Sequence, residues 1–146
     1  MSHDPSYEPM EPIELRQAGS GLRVVALVHG VYYLVTGIWP LIHMPSFELI
    51  SGPKREHWLV RAAGALIAVI GGVLLLAGWR RQAQPETPLL GIGSAAALGA
   101  IDTVYAVRRV ISRVYLGDAV VEACLIAGWI VTWLMERRAP RKRAAS

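Results

Sequence analysis

Four apolar blocks, each of about 20 residues, set the terms on which this chain can fold, because a helix of that length rises about 30 Å, the thickness of bilayer hydrocarbon. In lipid the backbone must satisfy its own polar groups, which leaves helices or a closed barrel, and long unalternating runs fit only helices. The sequence therefore predicts an all-α fold, a transmembrane four-helix bundle spanning 22–42, 58–79, 88–107 and 114–134. A length of 146 residues suits one domain, and a composition 53% apolar and 18% charged has the balance of a membrane protein.

The flanks differ in charge. Residues 1–21 are polar and proline-rich, with a short helix expected from Pro12 to Ala18, and they lack the basic start and small-residue cleavage site of a signal peptide. Residues 136–146 form a basic tail with Arg137, Arg138, Arg141, Lys142 and Arg143. Directly after a span, such a run reads as a membrane anchor and not as a nucleic-acid surface. Four spans put both termini on one side. With Arg16, Arg23, Arg80 and Arg81 that side holds nine basic residues. The other side holds six, namely Lys54, Arg55, Arg61, Arg108, Arg109 and Arg113. The excess assigns the termini to the cytoplasmic side of the membrane.

Each span has a face of its own. In span one, His29, Tyr33, Thr36 and Pro40 fall on one more polar side that should look into the bundle. Span two is bracketed by Trp58 and Trp79, 21 residues or about 32 Å apart, which suits two interfacial aromatic belts. Its stripe of Arg61, Gly64, Ala68 and Gly71, with Gly72 beside it, would let a neighbouring backbone approach closely. Gly91, Ala95 and Gly99 make a similar face on span three, which Pro88 should open, and Tyr115, Asp118, Glu122, Leu125 and Trp129 share one side of span four. Between spans one and two, Ser46 is expected to cap a turn of helix ended by Gly52-Pro53, with Phe47, Leu49 and Ile50 on the membrane surface or capping the bundle.

Charges within the spans need partners. Asp102, Asp118 and Glu122 are expected in the half of the bundle away from the termini, with Tyr105 and Tyr115 nearby and Arg61 facing them from span two. The plain reading pairs the acids with Arg61 and with one of Arg108, Arg109 or Arg113, fixing helix order. The functional reading leaves an acid without a counter-ion, able to exchange a proton or to hold a cationic head group. His29 is the one histidine within a span, so a bis-histidine haem is not expected, and a packing role for it competes with one in a proton relay. The single cysteine, Cys124, excludes an intrachain dithiol, and His43, Glu48, Glu56 and His57 lack the spacing of a metal motif. No nucleophile constellation or phosphate loop is present, so neither cofactor nor metal is expected.

The segments YYLVTGIWP (Tyr32 to Pro40), F-x4-GPK-x3-WLV (Phe47 to Val60) and IDTVY followed by VYLGDAVVE (Ile101 to Glu122) resemble those of a group of small bacterial four-span membrane proteins without an assigned activity. In layout and length the chain is also distantly similar to DoxX-like proteins. The resemblance implies the four-span fold and no residue role. The expected function is that of a non-enzymatic scaffold or accessory subunit, whose glycine faces pack on a second copy or within a larger membrane complex and whose other partner is the lipid bilayer. The alternatives are a proton-coupled transporter or binder of a small amphiphile or cation, and an enzyme using Glu122 or Asp118 as acid/base on a lipid-like substrate.

Overall fold

The computed structural model describes residues 19–80 and 86–138, and within them the chain is helical throughout apart from its connections. The elements are α1 (Ser20–Ile42), α2 (Met44–Ser51), α3 (His57–Trp79), α4 (Glu86–Val107) and α5 (Val114–Arg138). All but α2 are long and apolar enough to cross a membrane, which makes this a small multi-pass membrane protein. The helices start and stop close to the expected spans; α4 opens at Glu86, before Pro88, and α5 continues beyond Leu134 to Arg138. The expected helix at Pro12–Ala18 and the tail beyond Arg138 lie outside the described residues.

Pairing follows the small residues. α1 and α3 lie backbone against backbone: a Cβ on Gly30 would come 2.6 Å from the Leu75 nitrogen, and one on Gly37 would come 2.5 Å from the Gly64 oxygen. The α3 stripe of Gly64, Ala68 and Gly71 is thus covered by α1 of the same chain. α4 packs on α5 through side chains seated on small residues, with Gly91 making room for the Trp129 indole and Gly99 for the stem of Glu122. The two pairs meet where α1 faces α5 and α4.

Along the bundle the interior changes character. Toward the chain ends it is apolar, built on Leu22, Ala26, Leu74 and Trp129 with Val25, Ile70, Leu90 and Ile92 around them. The two ends of the described chain share that face: Glu136 Oε1 accepts the Leu22 N–H at 3.3 Å, an acid on the first turn of α1, and Arg23 Nε donates to the Gly78 carbonyl at 3.2 Å. Large apolar side chains such as Val24, Val28, Val31 and Val35 line the outer face of α1, as lipid contact requires.

The connection at the opposite end departs from expectation in its cap. His43, not Ser46, caps α2, its Nδ1 accepting the Ser46 N–H at 3.2 Å. The reason lies in Pro45, which has no N–H, so the helix starts earlier and Ser46 carries the amide that needs an acceptor. Ser46 is used instead as a bridge, accepting from Trp39 Nε1 at 2.8 Å and donating to the His43 carbonyl. Phe47 turns in against Trp39, while Leu49 and Ile50 face outward. Gly52 stops α2 at φ 87°, a left-handed conformation that disfavours any side chain.

Candidate functional site

The acids do find partners, and the partners are tyrosines of α1. Tyr33 donates its hydroxyl to Glu122 Oε2 at 3.0 Å, and Tyr32 donates to Asp118 Oδ1. The Asp102 carboxyl reaches that of Asp118. Glu122 is 1% exposed and Asp102 7%, while Asp118 is half-buried. Two carboxyl groups of α5 therefore sit against two hydroxyls from α1, with the Asp102 carboxyl of α4 beside that of Asp118.

The arrangement follows from local periodicity. Asp118 and Glu122 are one turn apart on α5, and Tyr32 and Tyr33 are adjacent on α1, so neighbouring hydroxyls meet successive turns of the facing helix. By helical rise Asp118 lies about 6 Å and Glu122 about 12 Å inside the α2-side end of α5. Deeper still, Trp129 Nε1 donates to His29 Nδ1 at 3.1 Å, and the His29 ring stands edge-on to Tyr33 with centroids 4.2 Å apart. A polar column thus runs from the α2-side end to the middle of the bundle and stops at the apolar half.

The His29–Trp129 bond fixes the imidazole. Indole N–H is a donor only, so Nδ1 must be the acceptor and Nε2 carries the hydrogen. Nε2 is buried and has no protein partner among the described residues. The column therefore ends in an unused donor, beyond the acceptor-rich acids.

Two of the residues expected here are elsewhere. Arg61 is exposed, and no described arginine comes within 4.0 Å of any described carboxylate. The arginine pairing expected for Asp102, Asp118 and Glu122 is corrected accordingly. Arg61 lies one turn beyond Gly64, level with the last residues of α1, and α1 itself stands between α3 and the acids. Tyr105 is 45% exposed, its ring turned outward near the end of α4. His29, Tyr33, Asp102, Asp118 and Glu122 are brought together. Tyr32 and Trp129 belong with them, and their signal was their position: Tyr32 beside Tyr33, Trp129 on the face of Glu122.

The four loop residues weighed as metal ligands have separate work. His43 caps α2, Glu56 accepts from Trp58 Nε1 at 2.9 Å, and Glu48 takes both the Lys54 N–H and His57 Nε2 at 2.8 Å. Among the described residues no three His, Cys, Asp or Glu side chains come together as a metal site would need. Beside the cluster, an open apolar groove runs along the outer face of α1, lined by Leu34, Val35, Ile38, Trp39 and Ile42, with His43 and Ser46 at its polar end. Tyr32, Val35 and Trp39 succeed one another at three- and four-residue steps, so the groove borders the tyrosine that holds Asp118.

Protein-family models, curated proteins and solved structures were compared with this chain, and none matches it. Function has to be read from the cluster's own chemistry.

Proposed function

We propose that this protein binds and carries a small lipophilic cation, exchanging it for a proton at the Asp102, Asp118 and Glu122 cluster. The observation that carries this reading is the partner set: inside the bundle Asp118 and Glu122 meet hydroxyl donors, Asp102 meets Asp118, and none of the three has a described arginine or lysine within 4.0 Å. A tyrosine solvates a carboxyl but does not balance its charge. Within a membrane that charge is balanced by a bound proton or a bound cation, and exchange between the two is the elementary step of a coupled carrier. The apolar groove beside Tyr32 suits the hydrocarbon part of such a ligand.

The scaffold reading rested on glycine faces left for a partner, and those faces are occupied within the chain by α1, Trp129 and Glu122. A second copy enters this proposal for another reason. The interior toward the chain ends is packed with apolar side chains, which close the described helices on that side, and carriage across the membrane needs a dimer or a rocking of one helix pair against the other. Nine basic residues on the side of the termini against six opposite support termini in the cytoplasm of a bacterial cell, with the acids opening toward the outer leaflet.

Titration calorimetry of the full chain in lipid nanodiscs, with tetraphenylphosphonium as the probe, tests the proposal. Two buffers of different ionisation enthalpy are compared. The apparent binding enthalpy should differ between them for the wild type, reporting proton release, and the difference should vanish in Glu122→Gln. Binding without proton release, affinity independent of pH in both proteins, or no binding at all would return the scaffold reading to first place.

A further inference from the structure

The α2-side end of the molecule is strongly basic and its charges are unspent. Arg55, Arg61, Arg108, Arg109 and Arg113 are all exposed there, and none has a described carboxylate within 4.0 Å, the one such contact being His57 with Glu48. The connections that carry them form one surface. Lys54 Nζ lies 4.7 Å from the centroid of the Tyr115 ring, and Gly52 faces Ser112. The loop before α3 is therefore docked on the turn between α4 and α5.

That turn has a feature of its own. α4 closes with the Arg109 N–H on the Ala106 carbonyl at 3.0 Å and the Val110 N–H on the Tyr105 carbonyl at 2.9 Å, the two bonds of a Schellman motif. Arg109 occupies the left-handed position, with φ 57°, the place where glycine is preferred and where a Cβ strains the backbone. Backbone strain held at an exposed, charged side chain points to a use for that side chain. Exposed Val107, Val110 and Val114 interleave with Arg108, Arg109 and Arg113. Apolar side chains at a span end hold the turn at the boundary of hydrocarbon and head groups, so the guanidinium groups stand at the level of lipid phosphate.

We propose that this end binds anionic phospholipid, with the head-group phosphate held by Arg108, Arg109 and Arg113 and the acyl chains against Val107, Val110 and Val114. Guanidinium offers paired donors that match phosphate oxygens, and at this height in a membrane the abundant phosphate belongs to lipid. The proposal stands apart from cation carriage, since it uses none of the groups of the acid cluster.

Native mass spectrometry of the full chain released from nanodiscs of phosphatidylcholine containing a minority of phosphatidylglycerol gives the readout. Wild type should retain phosphatidylglycerol above its share of the bilayer. Arg108→Gln/Arg109→Gln/Arg113→Gln should lose that enrichment by about fivefold per arginine, whereas Arg137→Gln/Arg138→Gln, at the opposite end, should keep it. Arg109→Gly separates binding from folding: relieved of strain, it should melt at a higher temperature than wild type in pure phosphatidylcholine, yet retain less phosphatidylglycerol. Unchanged enrichment in the triple variant or in Arg109→Gly, or equal loss in the control pair, would overturn the proposal. Displacement of the lipid by millimolar inorganic phosphate would also overturn it, marking a site for a free anion.

Discussion

The two sides of α1 solve the same problem by opposite means. Toward α3 it presents Gly30 and Gly37, and the helices touch through their backbones with no room for a methyl group. Toward α5 and α4 it presents His29, Tyr32 and Tyr33, and the contact is made by polar side chains reaching acids and an indole. In lipid there is little hydrophobic drive to bring helices together, so close backbone approach supplies dispersion while interhelical hydrogen bonds add only about 0.6 kcal/mol each on average. The glycine seam is therefore the structural one. The tyrosine seam is the one that can be altered, titrated or opened without dismantling the fold.

The largest effects should come from the glycine seam. Gly30→Ala and Gly37→Ala each place a Cβ against backbone atoms that no side-chain rotation can clear, and each should destabilise by about 3 kcal/mol, the upper range for overpacking. Gly72→Ala and Gly93→Ala meet nothing within 4 Å and should stay within about 0.5 kcal/mol of wild type. Unfolding in nanodiscs, followed by circular dichroism, distinguishes the pairs. Equal tolerance of all four would mean that α1 and α3 slide apart easily, and the contrast between the two seams would collapse.

On the other side the expected changes are smaller and depend on which partner is removed. Tyr33→Phe takes the donor from Glu122 and should cost about 2 kcal/mol, the penalty for a buried polar group left unpaired. Glu122→Gln keeps an acceptor for Tyr33 and removes a charge that has no cationic partner among the described residues, so it should be as stable as wild type or more so. In Tyr33→Phe/Glu122→Gln the loss should fall below that of Tyr33→Phe alone, a coupling that a double-mutant cycle measures. Destabilisation of Glu122→Gln as large as that of Tyr33→Phe would indicate a counter-ion for Glu122 and remove the distinction between a packing seam and a titratable one.

The legibility of this molecule follows the same division. Span length, the aromatic brackets of α3 and the face shared by Glu122, Leu125 and Trp129 are properties of single helices, and a period of 3.6 exposes them in sequence. That Gly64 and Gly71 would lie against a backbone was equally readable, but not that the backbone would be α1 of the same chain. Partner choice between helices was the opaque part. Arg61 was placed with the acids because its depth along α3 suited them, whereas the angle around α1 puts them on opposite sides of that helix. Depth comes from counting residues, but azimuth comes from packing. Tyrosine as the partner of a buried acid carries no charge signature in sequence, so opposite charge gives no pointer to Tyr32.

A third contrast is set by the connection between α1 and α3, which lies outside the spans. Glu48 accepts the Lys54 backbone N–H and then binds His57, and these bonds hold its carboxyl below the usual glutamate range. An acid stabilised in its ionised form contributes to folding above its unfolded value of about 4.3 and loses that contribution as pH falls through its lower folded value. Wild type should therefore lose stability below about pH 5 more steeply than Glu48→Gln, while at pH 7 the variant should be slightly the weaker of the two. The effect should be the smallest of the three, because solvent screens a pair at an exposed loop. Thermal melts in nanodiscs from neutral to acid pH compare the limbs directly. Parallel limbs would show that the knot at Glu48 adds nothing to the register of α1 on α3, leaving the glycine contacts to set it alone.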